Sequence, residues 1–277
     1  MTTPIATPLL RSSFPGQRPR VIGHRGACGV APENTLTSFQ QALKDGADIL
    51  EMDVHLTADG VIVVSHDPTV DRTTNGSGRI AELTYAQIRQ LDAGHRFTAD
   101  GGKTFPFRGQ GITIPSFSEV LESFPETPMN VEIKVHSLAL VNKFMDLLRR
   151  HKRLGDVMVV LVAAEARSLS RLIRKTEPSA FTGHSRWEVI WFLACTKLRM
   201  PWLFRPKSSA LQVPEREGWL TVVTPNLVRY AHSLGMEVHV WTINEEAEMK
   251  RLLAMGVDAI FTDFPGRMRK LLNPGRP

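Results

Sequence analysis

The 277-residue sequence has little cysteine and no long apolar run, and these shortages exclude several classes of protein. Its two cysteines, Cys28 and Cys195, are too few for a disulfide framework and lack metal-ligand spacing, which fits a reducing compartment. We expect neither thiol to perform the chemistry. No segment offers the roughly 18 uncharged apolar residues of a transmembrane helix, and no stretch resembles a secretory signal. We therefore expect a cytoplasmic protein.

Compact basic runs are also missing, although the net charge is +6. A basic balance favours anionic partners, whether nucleic acids, phosphorylated metabolites or membrane headgroups. The charges are scattered, and the aromatic and glycine signatures of the common nucleic-acid modules are not found. We therefore expect no nucleic-acid partner. The composition leaves the oligomeric state unknown.

Short apolar runs alternate with helical patterns through eight strand-plus-helix units, the second of which contains a hairpin-like stretch, DGVIVVSHD. This alternation predicts a parallel sheet, and eight units at this length predict a closed (β/α)8 barrel. We expect one barrel domain over residues 20–273 and a loose arm over residues 1–19, which contain four prolines. The predicted helices with defined bounds are Asn34–Lys44, Leu138–His151, Ala164–Lys175, Arg186–Met200, Pro225–Leu234 and Glu245–Met255.

Charged residues alternate with apolar ones in two predicted strands. In LEMDV, Glu51 and Asp53 share one face and the apolar residues share the other. In NVEIKV, the same parity groups Glu132 with Lys134. Because the apolar faces should pack on the helices, we expect all four charged side chains to point into the barrel.

Three carboxylates and a lysine inside a barrel would repel and desolvate one another unless something compensated them. A divalent cation is the simplest compensator, and the oxygen ligands of Glu51, Asp53 and Glu132 favour Ca²⁺ or Mg²⁺ over zinc. The alternative is an internal salt-bridge network closed by Lys134 and Arg25. The residues alone leave both interpretations open.

Imidazole and guanidinium groups follow two further predicted strands. His24 and Arg25 directly follow the run VIG, and His66 follows VIVVS. Taken alone, these residues also suit an ordinary polar loop. Active sites of (β/α)8 barrels, however, lie at the carboxyl ends of the strands, where the acids and Lys134 also fall. Two imidazoles can act as base and acid while a metal, Arg25 and Lys134 neutralise phosphoryl oxygens, which predicts a phosphodiesterase.

Five separate segments resemble the glycerophosphodiester phosphodiesterase family, and they occur in order between residue 21 and about residue 265. They are HRGACGVAPENT, EMDVHLTADGVIVVSHDPTVDRTTNGSG, VEIK, HVWTIN and GVDAIFTDFP. The resemblance implies a (β/α)8 barrel of the phospholipase C-like type. It also implies hydrolysis of glycerophosphodiesters to glycerol 3-phosphate and an alcohol, usually with Ca²⁺ or Mg²⁺, and a place in lipid and glycerol metabolism.

Carried over by position, the resemblance assigns roles to nine residues without a departure at the catalytic positions. It implies that His24 and His66 are the general acid/base pair. It implies metal ligation by Glu51, Asp53 and Glu132, phosphate binding by Arg25 and Lys134, and a pocket lined by Glu33 and Trp241. We interpret Asp263, which ends the last strand, as support for a neighbouring basic side chain and leave it outside the site.

The segment Trp187–Phe204 is richer in apolar residues than one helix face requires. One face would pack on the barrel, namely Trp187, Ile190, Trp191, Ala194 and Leu198. That face leaves other apolar residues unexplained: Val189, Phe192, Leu193, Trp202, Leu203 and Phe204. Interleaved cations make the segment similar to an interfacial element that contacts lipid at the inner membrane surface, while an internal or oligomer interface is the alternative.

Three other functions compete with hydrolysis of soluble glycerophosphodiesters. The chain is similar to the family branch that includes lysophospholipase D enzymes, so a lysophospholipid substrate at a membrane surface is one alternative. A non-catalytic barrel that binds phosphodiester headgroups is another, although it would be expected to lose an imidazole or a metal ligand. A nucleic-acid phosphodiesterase would need a groove for several phosphates, which the sequence does not indicate.

Overall fold

The computed structural model describes residues 14–134, 137–161 and 166–274 and contains a large sheet surrounded by helices. The strands are β1 (Arg20–Gly23), β2 (Ile49–Leu56), β3 (Ile62–Val64), β4 (Met129–Ile133), β5 (Val157–Val160), β6 (Phe181–Thr182), β7 (Ala210–Pro214), β8 (Arg216–Glu217), β9 (Leu220–Thr221), β10 (Glu237–Trp241) and β11 (Ala259–Thr262). The helices are α1 (Leu36–Lys44), α2 (Tyr85–Ile88), α3 (Phe117–Ser123), α4 (Leu138–Arg150), α5 (Ala166–Thr176), α6 (Arg186–Lys197), α7 (Pro225–Ser233), α8 (Glu246–Ala254) and α9 (Pro265–Leu272), with short 3-10 helices at Ile80–Glu82 and Pro201–Leu203.

Eight parallel strands form the main sheet in the order β6-β5-β4-β2-β1-β11-β10-β7. The end strands β6 and β7 are consecutive members of this parallel set along the chain, so the sheet curls round to a seam between them. His184, just after β6, bridges the seam because its Nδ1 lies 2.9 Å from the carbonyl oxygen of Ala210 at the start of β7. The predicted (β/α)8 barrel is confirmed as the fold class.

The predicted hairpin is confirmed, because β3 pairs antiparallel with β2. The chain between β3 and β4 is longer than one crossover helix and contains only the short helices α2 and α3 and a 3-10 turn. A small apolar cluster, including Val70, Ile80 and Ile88, holds this insertion together. The insertion therefore follows His66 as a distinct lobe at the carboxyl end of β3.

Alternation along β2 separates the helix-facing core from the barrel interior. Leu50, Met52 and Val54 pack in the large cluster with the helices, as the sequence predicted. Ile49, of the opposite parity, belongs to an apolar cluster with residues of β1, β5, β7 and β11. The interior is therefore apolar at the start of β2 and becomes acidic at Glu51 and Asp53, which are both buried.

The amino-terminal arm is anchored at its end. Phe14 is 1% exposed and its ring lies 4.9 Å from that of Phe181 in an edge-on contact. Residues 1–13 of the predicted arm lie outside the described residues. The arm therefore closes part of the apolar barrel interior, a role that its prolines did not indicate.

Most predicted helices are found, with small shifts at their ends. The first begins at Leu36, because the Thr35 side chain caps it by accepting from the Ser38 backbone N–H. The predicted cap at Thr224 is confirmed by its bond from the Leu227 N–H. The helix predicted to start at Ala164 begins outside the described residues, and α6 ends three residues before the predicted Met200.

The predicted orientation of α6 is wrong. Trp187, Ile190 and Trp191 are 55%, 42% and 50% exposed instead of packing on the barrel. Phe192 and Cys195 face the core in their place. The helix is apolar on most of its circumference, so periodicity could not orient it. Among the described residues, no helix is both long and apolar enough to span a bilayer.

Candidate active site

The loop after β1 places His24 and Arg25 at the end of the barrel where the strands point. His24 N–H donates to the carbonyl of Thr262 at 3.0 Å, and Arg25 N–H donates to Glu51 Oε2 at 2.7 Å. Arg25 has a positive φ of 50°, and Gly26 follows at 87°. A Cβ at Gly26 would lie 2.4 Å from Ser38 Oγ, so only glycine allows this close approach of the loop to α1.

Two of the three predicted acids, Asp53 and Glu132, share a cation. Lys134 Nζ lies 3.0 Å from both Asp53 Oδ1 and Glu132 Oε1. Arg25 Nε lies 3.6 Å from Asp53 Oδ2 and has no hydrogen-bond partner. The side chains thus form the salt-bridge network that the sequence left open as an alternative to a metal.

Electrostatics leave this cluster short of positive charge. Burial, followed by the neighbouring charge of Asp53, raises the pKa of Glu51. Burial opposes the charge of Lys134, but Asp53 and Glu132 outweigh it and raise the pKa of this lysine. Lys134 and Arg25 face three carboxylates, and Arg25 is also shared with Glu33 at 3.1 Å. The all-oxygen donor set and the uncompensated acid fit a hard divalent cation.

His24 is supported by Asp263, the residue left outside the site by sequence reasoning. His24 Nδ1 lies 2.6 Å from Asp263 Oδ1, and Asn244 donates to Asp263 Oδ2 at 2.6 Å. Burial raises the pKa of Asp263, but hydrogen bonds from His24 and Cys28 outweigh burial and lower it to about 2. An ionised carboxylate only accepts, so it holds the hydrogen of His24 on Nδ1 and leaves Nε2 for chemistry. Burial lowers the pKa of His24, yet Asp263 and Glu51 together raise it.

His66 has an equivalent support from its neighbour in the chain. Its Nδ1 lies 2.7 Å from Asp67 Oδ1, and Arg72 pairs with the other oxygen of this carboxylate. Burial opposes ionisation of Asp67, but the bonds from Arg72 and His66 lower its pKa to about 2. Both predicted catalytic histidines therefore have a carboxylate on Nδ1.

Glu33 connects the two halves of the site. It accepts from Arg25 at 3.1 Å and from both terminal nitrogens of Arg72 at 2.7 Å. Burial raises its pKa, but Arg72 and Arg25 outweigh burial and lower it. Sequence reasoning missed Arg72, because an arginine inside an irregular insertion has no local pattern that points to the site.

A polar cavity of about 190 Å³ adjoins Glu33 and Cys28. The insertion supplies much of its wall, including Arg72, Arg96 and Phe97. Trp241, the other predicted pocket residue, ends β10 and is 43% exposed, and it does not line this cavity. The structure thus places Glu33 at a pocket and leaves the role of Trp241 as a prediction.

A second group of possible metal ligands lies beside the first. Within the described residues, three ligand atoms lie within 4.8 Å of one another, one each from His24, Cys28 and Asp263. The predicted set of Glu51, Asp53 and Glu132 does not converge in this way, since Lys134 lies between two of its members. The Cys28 thiol donates to Asp263 Oδ1 at 2.9 Å. Burial and the adjacent Asp263 charge raise the pKa of Cys28, which disfavours a thiolate ligand.

Comparison with known proteins shows the family of this chain. The model of the glycerophosphoryl diester phosphodiesterase family matches residues 24–267, which include every site residue described above. The chain belongs to this family. A glycerophosphodiester phosphodiesterase from Caldanaerobacter subterraneus subsp. tengcongensis is 32% identical over 92% of this chain and 98% of its own. A lysophospholipase D from Rattus norvegicus is 29% identical over 92% of this chain and 86% of its own.

A solved structure of a similar protein shows the same fold. A phosphodiesterase from Oleispira antarctica, in complex with the product sn-glycerol-3-phosphate, is 27% identical with a TM-score of 0.71, over 92% of this chain and 97% of that one. The family recognised from five sequence segments is therefore confirmed.

Proposed function

We propose that this chain hydrolyses glycerophosphodiesters to glycerol 3-phosphate and an alcohol, with His24 and His66 as its acid/base pair. The observation that supports this most directly is the matched pair of histidines, each with an ionised carboxylate at 2.6–2.7 Å from Nδ1. His24 follows the barrel strand β1, and His66 follows β3, which pairs antiparallel with the end of the barrel strand β2. In each ring the supporting carboxylate leaves Nε2 free to exchange a proton with substrate.

The net reaction breaks the bond between phosphorus and the alcohol oxygen and joins phosphorus to an oxygen that derives from water, while the two hydrogens of water end on the products. One imidazole takes the proton of the nucleophile, and the other gives a proton to the departing alcohol. The raised pKa of His24 suits it to the donor role, because it keeps its proton at higher pH. His66 then acts as the base. A guanidinium and an ammonium group, from Arg25 and Lys134, neutralise the phosphoryl oxygens.

Glu51, Asp53 and Glu132 would hold one Ca²⁺ or Mg²⁺ ion. When bound, such an ion supplies positive charge to the phosphoryl oxygens. Asp53 and Glu132 already share one cation, the Lys134 ammonium, at 3.0 Å. The same oxygens are suited to a metal, and Lys134 is then available to phosphate.

A lysophospholipid is the second candidate substrate. The lysophospholipase D relatives and the exposed apolar face of α6 favour it. We propose that the segment Trp187–Phe204 makes peripheral contact with a membrane, at the cytoplasmic surface if the protein is intracellular. Phe204 is not part of the contact surface, because it is 4% exposed and packs against Phe192.

Alanine replacement of each histidine tests the proposal. With glycerophosphocholine as substrate, His24→Ala and His66→Ala should each lower kcat by about 10² to 10⁴ while the fold survives. His232→Ala is a matched control, since His232 pairs with Asp258 at 2.8 Å outside the candidate site. A histidine whose variant keeps near-normal kcat is structural. No glycerol 3-phosphate from the unmodified protein would favour the non-catalytic, headgroup-binding alternative.

A further inference from the structure

A second cavity, of about 350 Å³, lies between α5, α6 and the chain that leads to β7. Four cations line it: Arg167, Arg171, Arg205 and Lys207. Trp187, Trp191 and Leu203 form much of its apolar wall. Arg167 and Trp187 lie in the first turns of α5 and α6, which follow the carboxyl ends of β5 and β6. The cavity therefore borders the end of the barrel that holds the candidate active site.

Within the described residues, no ion pair neutralises the positive charge of this cavity. None of the four cations forms an ion pair with any described residue. The acidic lining residue, Glu188, is already paired with Arg174 at 2.9 Å and accepts from the Ser185 N–H. Hydrogen bonds from Arg174 outweigh burial and lower the pKa of Glu188 to about 2. The cavity is thus complementary to an anion.

The apolar surface beside these cations is exposed along α6 and the 3-10 turn that follows it. Trp187 and Trp191 are about half exposed on one face of α6, and Trp202 and Leu203 are 67% and 48% exposed in the next turn. Tryptophan favours the depth of lipid headgroups, and arginine and lysine extend toward anionic phosphate. A soluble phosphate would use the cations but would leave the tryptophans in water.

We infer that this cavity binds the headgroup phosphate of an anionic phospholipid in a bilayer, with Trp187 and Trp191 entering the interface. The inference rests on the proposed membrane contact and needs no catalytic turnover. It assigns the contact to a defined site that selects anionic over zwitterionic surfaces. Docking there places the catalytic end of the barrel close to the membrane.

Sedimentation with vesicles of phosphatidylcholine, with and without phosphatidylglycerol, tests the inference. The unmodified protein should bind the vesicles that contain phosphatidylglycerol, less at high salt, and should bind phosphatidylcholine alone weakly. Arg171→Gln/Arg205→Gln/Lys207→Gln should bind about a hundredfold more weakly. Trp187→Ser/Trp191→Ser should also lose binding. The matched control Lys44→Gln/Lys103→Gln/Arg150→Gln removes the same charge from exposed positions outside the cavity and should bind normally.

Equal binding of the cavity variant and the control would overturn the inference, as would equal binding to both vesicle types. Release by soluble glycerol 3-phosphate would show a site for free anions and would also overturn it. His24→Ala should bind vesicles normally, and the cavity variant should hydrolyse glycerophosphocholine normally. Failure of the proposed hydrolysis is therefore distinguishable from failure of the lipid site. Thermal unfolding of every variant checks that lost binding is not lost folding.

Discussion

Replacing Asp263 with asparagine tests the support of His24 while nearly conserving shape. The carboxylate lies 2.6 Å from His24 Nδ1 and is held from its other side by Asn244. The asparagine can still accept from Nδ1–H, but it no longer supplies a negative charge to an imidazolium. The change therefore separates the charge of this support from its position.

The expected loss follows from this geometry. Loss of a residue that orients a catalytic or ligating histidine typically lowers activity 10- to 100-fold, which corresponds to roughly 1.4–2.8 kcal/mol in the activation free energy. The pH dependence should change as well. Asp263 is the largest contributor that raises the pKa of His24 against burial, so its removal lowers that pKa. If His24 is the acid, activity falls as the pH rises through the pKa of His24. In the variant, this alkaline fall in activity should therefore begin at a lower pH.

Measurement of kcat on glycerophosphocholine across neutral and alkaline pH decides the matter. Asp258→Asn is the matched control, because it removes a carboxylate paired with His232, outside the candidate site. A kcat within twofold of the unmodified protein and an unmoved alkaline limb would refute the assigned role of Asp263. Equal losses in both variants, together with lowered thermal stability, would show that the effect is structural.

Two further perturbations test other parts of the site and fold. Arg25→Lys should lower kcat, because an ammonium cannot reproduce a two-pronged grip on phosphate; Arg79→Lys at an exposed pair is the control, and unchanged kcat would place Arg25 outside phosphate contact. Glu188→Gln should lower the free energy of unfolding at neutral pH by roughly 1–2 kcal/mol, because the pKa of Glu188 is about 2 against its ordinary 4.5 and solvent screens this part-exposed pair. That contribution is complete above pH 4.5 and disappears as pH falls toward 2, so urea unfolding of the variant should be less sensitive to pH in this range. If the free energy of unfolding of the variant depended on pH in this range as that of the unmodified protein does, the assigned contribution of the Glu188 carboxylate would be contradicted.

The sequence predicted the parts of this structure that depend on short-range periodicity. Alternation along β2 correctly separated Leu50 and Met52 from Glu51 and Asp53, because side chains of a strand necessarily point to opposite faces. The eight-unit pattern correctly predicted the barrel. The residue preferences of helix N-termini correctly predicted the cap at Thr224.

Long-range contacts explain what the sequence did not predict. Asp263 and His24 are separated by 239 positions, and only closure of the sheet between β11 and β1 brings them together. Arg72 reaches Glu33 from an insertion without regular periodicity. The face of α6 was reversed because apolar residues surround it, so burial is decided by the shape of the neighbouring core and not by the pattern.

The most direct test of the account is product analysis with and without a chelator. Purified protein is stripped of metal, supplied with glycerophosphocholine, and assayed for glycerol 3-phosphate and choline. The account predicts that both products form in equal amounts only after Ca²⁺ or Mg²⁺ is restored, and that Glu51→Gln needs more metal for the same rate. Full turnover in the stripped protein would contradict the proposed metal site, and release of phosphocholine in place of glycerol 3-phosphate would contradict the proposed bond cleavage.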